Sequence, residues 1–260
     1  MIGFFLKKCL FDGWDNLFKI FLYNFILIAV DAGLMSLAFA LNSPGFFYLL
    51  TVLTIMFTAV YSLGLSGVAS KISNNKTPEF KDFRISIKET WLHGVALGFL
   101  GIVLLVILLW VIPFYFNMGD IVSRFIGGLL FWLVFVFMLA LQWFLPVRTN
   151  MEKKFFRSLK KSFILFIDNP AFTFFMFVYS LVLGTISIIF LTLVPGLGGI
   201  ILAQNNAYKL RMYKYDWMEE NPDIPPSKAR KSVPWKVLLE KDREIMGRRT
   251  LKNLFFPWKD

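Results

Sequence analysis

The sequence predicts an all-α polytopic membrane protein, with six transmembrane helices arranged as three hairpins, each preceded by a cytoplasmic amphipathic elbow helix. Three observations predict it. First, the 260 residues are 57% hydrophobic and include 31 Phe. That composition is too apolar for an ordinary soluble domain. Second, five runs, at about 20–41, 46–69, 94–116, 125–147 and 171–194, reach the roughly 20 residues that a helix needs to cross about 30 Å of hydrocarbon. Third, the basic residues cluster in alternate loops. Lys7, Lys8 and Lys19 precede the first span, Lys71 to Lys88 separate the second from the third, and Arg148 to Lys161 separate the fourth from the fifth. The intervening loops hold almost no Lys or Arg, which places both termini and the basic loops in the cytoplasm. A net charge of +11 would suggest nucleic acid in a soluble chain; here topology accounts for it, and no nucleic-acid partner is expected.

The first elbow is carried by residues 2–19. Leu10, Phe11, Trp14, Leu17, Phe18 and Phe21 share one helical face, opposite Lys7, Lys8, Asp12, Asp15 and Lys19, as in a helix lying at the interface. The first span follows and is read as uncleaved, because it is too long for a signal peptide and holds Asp31. Asn42-Ser43-Pro44-Gly45 then allows only a tight turn into the second span. Asn74 to Pro78 is a polar linker. In 79–92, Phe80, Phe83, Ile87 and Trp91 oppose Lys81, Asp82, Lys88 and Glu89, which makes the second elbow. The third and fourth spans are joined around Gly119 and Asp120. The third elbow, 152–167, reads EKKFFRSLKKSFILFI. Its Lys153, Lys154, Arg157, Lys160 and Lys161 oppose Phe155, Phe156, Leu159, Phe163 and Ile167. Phe83-Arg84 and Phe156-Arg157 recur at the offset that separates Glu79 from Glu152, which reads as a structural repeat.

The sixth segment, 196–213, is weakly apolar, and as a helix from Gly196 to Tyr208 it is only about 20 Å long. The basic tail beyond it nevertheless has to return to the cytoplasm, so a sixth crossing, broken or re-entrant, is expected, with Lys209 and Arg211 snorkelling. Residues 1–215 thus form the transmembrane domain and 216–260 a cytoplasmic tail. The tail begins with a stiff linker, Asn221 to Pro226. It continues with one short helix, Pro234 to Met246, with Ser232 as N-cap and Gly247 as stop, and ends in the apolar Leu254 to Trp258.

Asp31 is the chemical anomaly, because an ionisable group near mid-span costs several kcal/mol. With Asn24 and the stripe Thr51, Thr54, Thr58, Ser62 and Ser66 it forms a candidate intramembrane polar seam. Thr58 is expected at the depth of Asp31 and Ser66 at that of Asn24, with Gly64 and Gly67 letting the two backbones approach. The seam reads either as a proton or solute path or as an interhelical clasp. Gly94, Gly98 and Gly101 read as packing. His93 reads as a partnerless interfacial histidine, and Gln142, Gln204, Asn205 and Asn206 as hydrated helix ends. The third elbow is the candidate lipid- or partner-facing surface, attracting anionic headgroups at about 1 kcal/mol per charge. Cys9 and His93 are single, so no Cys/His metal cluster is expected. No catalytic constellation and no cofactor motif is visible.

The segments FKDFRISIKETWLHGVALGFL and LPVRTNMEKKFFRSLKKSFILFIDNP, each after a pair of spans, resemble the YesL-like family of small bacterial membrane proteins of unknown function. The resemblance rests on Phe80, Lys81, Asp82, Phe83 and Lys88, and on Leu145-Pro146 through Lys161, and covers about residues 1–213. Two features depart from the family: the extension after Tyr215 and the reduced turn at Ser43-Pro44-Gly45. The resemblance implies the bacterial cytoplasmic membrane and an accessory role beside a membrane transport protein, and supplies no catalytic residue. The expected function is therefore a non-enzymatic accessory or regulator of transport. A small transporter using the Asp31 seam is the alternative, and an intramembrane enzyme stands last.

Overall fold

The computed structural model describes residues 1–225, 232–247 and 249, and every regular element among them is helical. Helix α1 (Ile2–Asp15) runs into α2 (Leu17–Ala40) with only Asn16 between them. After the Leu41–Ser43 turn comes α3 (Pro44–Ser73), whose first residue is a proline suited to a helix start. Helix α4 (Phe80–Val106) continues through a single π-type stretch (Ile107–Val111) into α5 (Ile112–Asn117). The wider turn accommodates Pro113, which lacks an N–H and would otherwise crowd the preceding carbonyl. Helix α6 (Ile121–Leu141), capped by the Asp120 carboxylate on the Ser123 N–H at 2.8 Å, is followed by α7 (Phe144–Asn150). Then come α8 (Phe155–Asp168), α9 (Pro170–Ile189) and α10 (Gly196–Glu220), and in the tail α11 (Trp235–Leu238) and α12 (Glu240–Met246).

Among the described residues, five helices are long and apolar enough to cross a membrane: Leu17–Ala40, Pro44–Ser73, Phe80–Asn117, Ile121–Asn150 and Pro170–Ile189. The elbows differ from one another. Residues 79–92 form no separate element, because the amphipathic segment and the third span are one continuous helix. A capping box between Glu79 and Asp82 starts it, satisfying two backbone donors that a helix start leaves open. Phe83 is buried against Tyr23 and Tyr61, at ring distances of 5.1 and 4.9 Å, whereas Phe80 and Trp91 are exposed. In α1 the buried face is Phe4, Phe5, Lys8, Cys9 and Phe11, while Leu10 and Trp14, and Leu17 and Phe18 at the start of α2, are exposed. Lys8, expected to face out, is only 2% exposed.

Helices α3 and α4 pack extensively on each other, and four glycines allow their close approach. A Cβ on Gly94 would lie 2.5 Å from the Val60 Cα, and one on Gly98 would lie 3.0 Å from the Met56 Cα. On α3, Gly64 faces Phe83 and Ile87, and Gly67 faces Ser86. Gly64 and Gly67 therefore admit α4, and not α2 as the stripe on the second span suggested. Gly101 has nothing within 4 Å of its would-be Cβ and takes no part.

Helix α10 is the centre of the fold. It packs on α1, α2, α3, α7 and α9, and its buried residues run almost without a break from Ile201 to Leu210. At 25 residues it is about 37 Å long, and it runs seven residues past the expected 196–213. It does not start at the level of the α2–α3 turn. The Asn24 amide, near the beginning of α2, donates to the Leu193 and Pro195 carbonyls (2.8 and 2.9 Å), and its oxygen accepts from the Gly198 N–H (2.9 Å). Gly196, at φ +57°, has no room for a side chain, since a Cβ would meet the Asn24 amide at 2.3 Å. The α9–α10 turn thus lies near the first turns of α2, whereas the α2–α3 turn lies at its far end.

Among the described residues, 235–246 form two short helices rather than one, and Gly247, at φ +67°, ends the second as expected. Pro234, not Ser232, precedes the first. Leu239 is fully buried among α1, α9 and α10 residues. Pro226 and the apolar Leu254 to Trp258 lie outside the described residues.

The glycine contacts predict a contrast within one helix. Gly94→Ala pushes against the Val60 backbone and should lower stability by about 1–3 kcal/mol. Gly101→Ala meets open space and should be neutral or slightly stabilising. Thermal unfolding of the two variants in mild detergent, followed by tryptophan fluorescence, separates them.

Candidate functional site

The predicted seam does not form one continuous polar line. Thr51, Thr54 and Ser62 donate to carbonyls of their own helix, Phe47, Leu50 and Thr58, at 2.7 to 2.9 Å. Thr58 is the exception, donating to the Asp31 carboxyl at 3.1 Å and so joining α3 to α2 at the depth expected. Asn24 and Ser66 belong to a different group, because both turn toward α10.

That group is the buried polar layer around α10. Ser66 Oγ accepts from Thr149 Oγ1 (2.9 Å) and from the Asn205 amide (3.2 Å), and Asn150 donates to the Asn205 oxygen (3.3 Å) while accepting from Ser70. This network ties α3, α7 and α10 together. Asn205 and Asn206, read from sequence as hydrated helix ends, are 1% and 0% exposed.

One turn further, the layer becomes charged. The Lys209 ammonium donates to Asp242 at 2.9 Å and to the Ser73 carbonyl at 2.9 Å. Asn75 and the Tyr213 hydroxyl also donate to Asp242, each at 3.0 Å. Lys8 bridges Asn75 (3.1 Å) and Asp12 (3.0 Å). Lys209 therefore does not snorkel to water; its side chain is only 11% exposed and is paired with the tail. Burial would raise the Asp242 carboxyl, but Lys209, Lys8 and Asn75 outweigh it and hold the group below the ordinary carboxylate value. At the far end of α10, Lys214 pairs with Asp168 (2.8 Å) and Asn169 (3.1 Å), and Tyr215 donates to Asp168 at 2.5 Å. Cys9 lies beside Asn206, and burial pushes its thiol well above the ordinary value, so no nucleophilic thiolate forms there.

His93 is not partnerless. Its Nδ1 accepts from Arg148 Nε at 2.6 Å, and Arg148 is 7% exposed.

The third elbow, α8, has one side packed on the protein and one side turned outward. Ser158, Ser162 and Leu165 pack against the protein, with small hydroxyl residues allowing close approach. Lys153, Lys154, Arg157 and Lys160 are exposed, and Lys161 pairs with Glu152 at 3.2 Å. That contact holds the Glu152 carboxyl below its ordinary value. Phe156 and Ile167, 81% and 71% exposed, flank Lys160 on the outward side at helical spacing, where apolar and basic groups mix as they do on an interfacial helix.

These features define an all-helical multi-pass membrane protein with a polar core. Comparison with protein-family models, curated proteins and solved structures finds no match. Sequence reasoning missed Lys8, Arg148, Lys214 and Asp242 as buried groups, and Asn75 and Lys209 as their partners. One signal was present: residues 196–220 carry polar groups on every side and no apolar stripe, which a surface helix would show.

The tail contact yields a prediction with a definite sign. Because the folded Asp242 value lies below the unfolded one, its stabilisation is complete above about pH 4 and is lost as pH falls through the folded value. Protease cleavage of the tail should therefore rise only below about pH 4. Asp242→Ala, which strands Lys209 in buried surroundings, should release the tail at neutral pH at a cost of about 3–5 kcal/mol.

Proposed function

We propose that the protein is a non-enzymatic accessory or regulator of a membrane transport system in the bacterial cytoplasmic membrane, with both termini in the cytoplasm. Six helices enter the bilayer as three hairpins, the third of which turns back at the level of Asn24 instead of crossing fully. The observation that carries this reading is the closed contact between Asp31 and Thr58. The one carboxyl near mid-span is spent on joining α2 to α3, and the hydroxyls around it bond to their own helix. Polar and charged groups gather instead at one end of the bundle, where α10, the docked tail and the basic face of α8 offer a surface to a partner protein and to anionic headgroups. The basic loops on that side support its cytoplasmic placement.

A transporter is the second reading, favoured by the start of α10 at Asn24. Irregular backbone inside a membrane is tolerated where it is buried or lines a cavity, and such turns occur in transporters.

Reconstituted vesicles distinguish the two. Protein alone should give no proton or solute flux that depends on Asp31, measured with an enclosed pH-sensitive dye. An Asp31-dependent flux would overturn the accessory reading in favour of transport. Asp31→Asn, whose amide oxygen still accepts from Thr58, should stay within about 1 kcal/mol of wild type. A photo-crosslinking residue in place of Lys160 should capture a membrane transport protein in cells. Capture of lipid alone counts against the proposal.

A further inference from the structure

A second site lies apart from the α10 layer, at the end of the bundle where α3, α4 and α7 meet. A cavity of about 180 Å³ is lined by Gly67, Lys71, Ile85, Glu89, Arg148 and Thr149, among others. Arg148 is its most unusual wall. The guanidinium is more than nine-tenths buried, and its Nε and Nη2 donate to His93 Nδ1 and to the Glu89 carbonyl, at 2.6 and 3.2 Å. Among the described residues no carboxylate forms an ion pair with it. Asp82, also on the wall, is taken by Lys71 at 2.7 Å and by the Glu79 N–H at 2.8 Å. Glu152 is taken by Lys161. Glu89 and Glu152 act on the guanidinium only at a distance, without direct contact, and an anion in the cavity would give it the close partner that a buried charge needs.

A bare anion fits the remaining charges poorly. The Glu89 carboxylate stands at the rim, exposed and without a hydrogen bond or ion pair among the described residues. A guanidinium and a carboxylate that line one small cavity, neither in a direct ion pair among the described residues, match a ligand that carries both signs. The surroundings indicate where that ligand comes from. Ile85, Leu92 and Phe99 follow one another at helical spacing on α4, 52%, 62% and 61% exposed, and lead from the cavity rim along the membrane-spanning part of the helix.

We propose that this cavity binds the phosphoethanolamine headgroup of a membrane lipid, with the phosphate on Arg148 and Lys71 and the ammonium on Glu89. The acyl chains lie along Ile85, Leu92 and Phe99. The assignment is independent of the role in transport.

Delipidated protein in mild detergent is titrated with short-chain phosphatidylethanolamine, short-chain phosphatidylglycerol and soluble phosphoethanolamine, and the thermal midpoint is followed. Phosphatidylethanolamine should raise the midpoint at about a tenfold lower concentration than phosphatidylglycerol. Glu89→Gln, at an exposed position that leaves the fold intact, should abolish that preference. Lys71→Gln should weaken both lipids. Arg148→Gln should weaken them further, but its folding is at risk, so Glu89→Gln carries the test. No shift with phosphatidylethanolamine, equal shifts with the two lipids, or an unchanged preference in Glu89→Gln overturns the site. Soluble phosphoethanolamine acting as well as the lipid keeps the headgroup site and overturns the membrane as its source.

Discussion

Hydrogen bonds that a buried polar helix cannot make for itself have to come from its neighbours, and in this protein the helix is α10. Its Asn205, Asn206 and Lys214 are buried and its Lys209 side chain is only 11% exposed, so neighbouring helices contribute matching groups. The partners are Ser66 from α3, Asn150 from α7, Cys9 from α1 and Asp168 from α8. Asn24 from α2 serves the backbone at the helix start. Unpaired, each such group would cost about 1–3 kcal/mol. The positions of five other helices are therefore coupled to the polar face they present to α10.

The rest of the bundle is held by contact of a different kind. Gly64, Gly67, Gly94 and Gly98 bring α3 and α4 close enough for backbone and side-chain atoms to interlock, which is how helices associate where lipid removes the hydrophobic advantage of burial. The Asp31 to Thr58 bond adds α2 to that pair. Shape thus joins α3 to α4, while hydrogen bonds join α2 and α10 to them.

The tail completes the charged end of the α10 layer. Lys8 and Lys209 bring two positive charges into surroundings that hold one other acid, Asp12, and Asp242 supplies the second negative charge from a segment remote in sequence. A buried pair of this kind adds little net stability but is expensive to break. It makes docking of the tail sensitive to the loss of a single carboxylate.

Much of this was legible from residues alone. Length and apolarity of the runs mark the spanning helices, because crossing hydrocarbon demands a continuous apolar segment. Tight-turn chemistry at Ser43-Pro44-Gly45 made the depth pairing of Asp31 with Thr58 predictable, since two helices joined so closely keep their register. The basic face of α8 followed from helical periodicity. What periodicity leaves open is which neighbour a polar face will meet. Gly64 and Gly67 could serve α2 or α4 equally well, His93 and Arg148 are distant in sequence, and Lys209 could reach water or Asp242. Those choices depend on how whole helices stack, and only the tertiary structure makes them, because a buried polar group is satisfied by whatever packing brings within about 3 Å, irrespective of its distance along the chain.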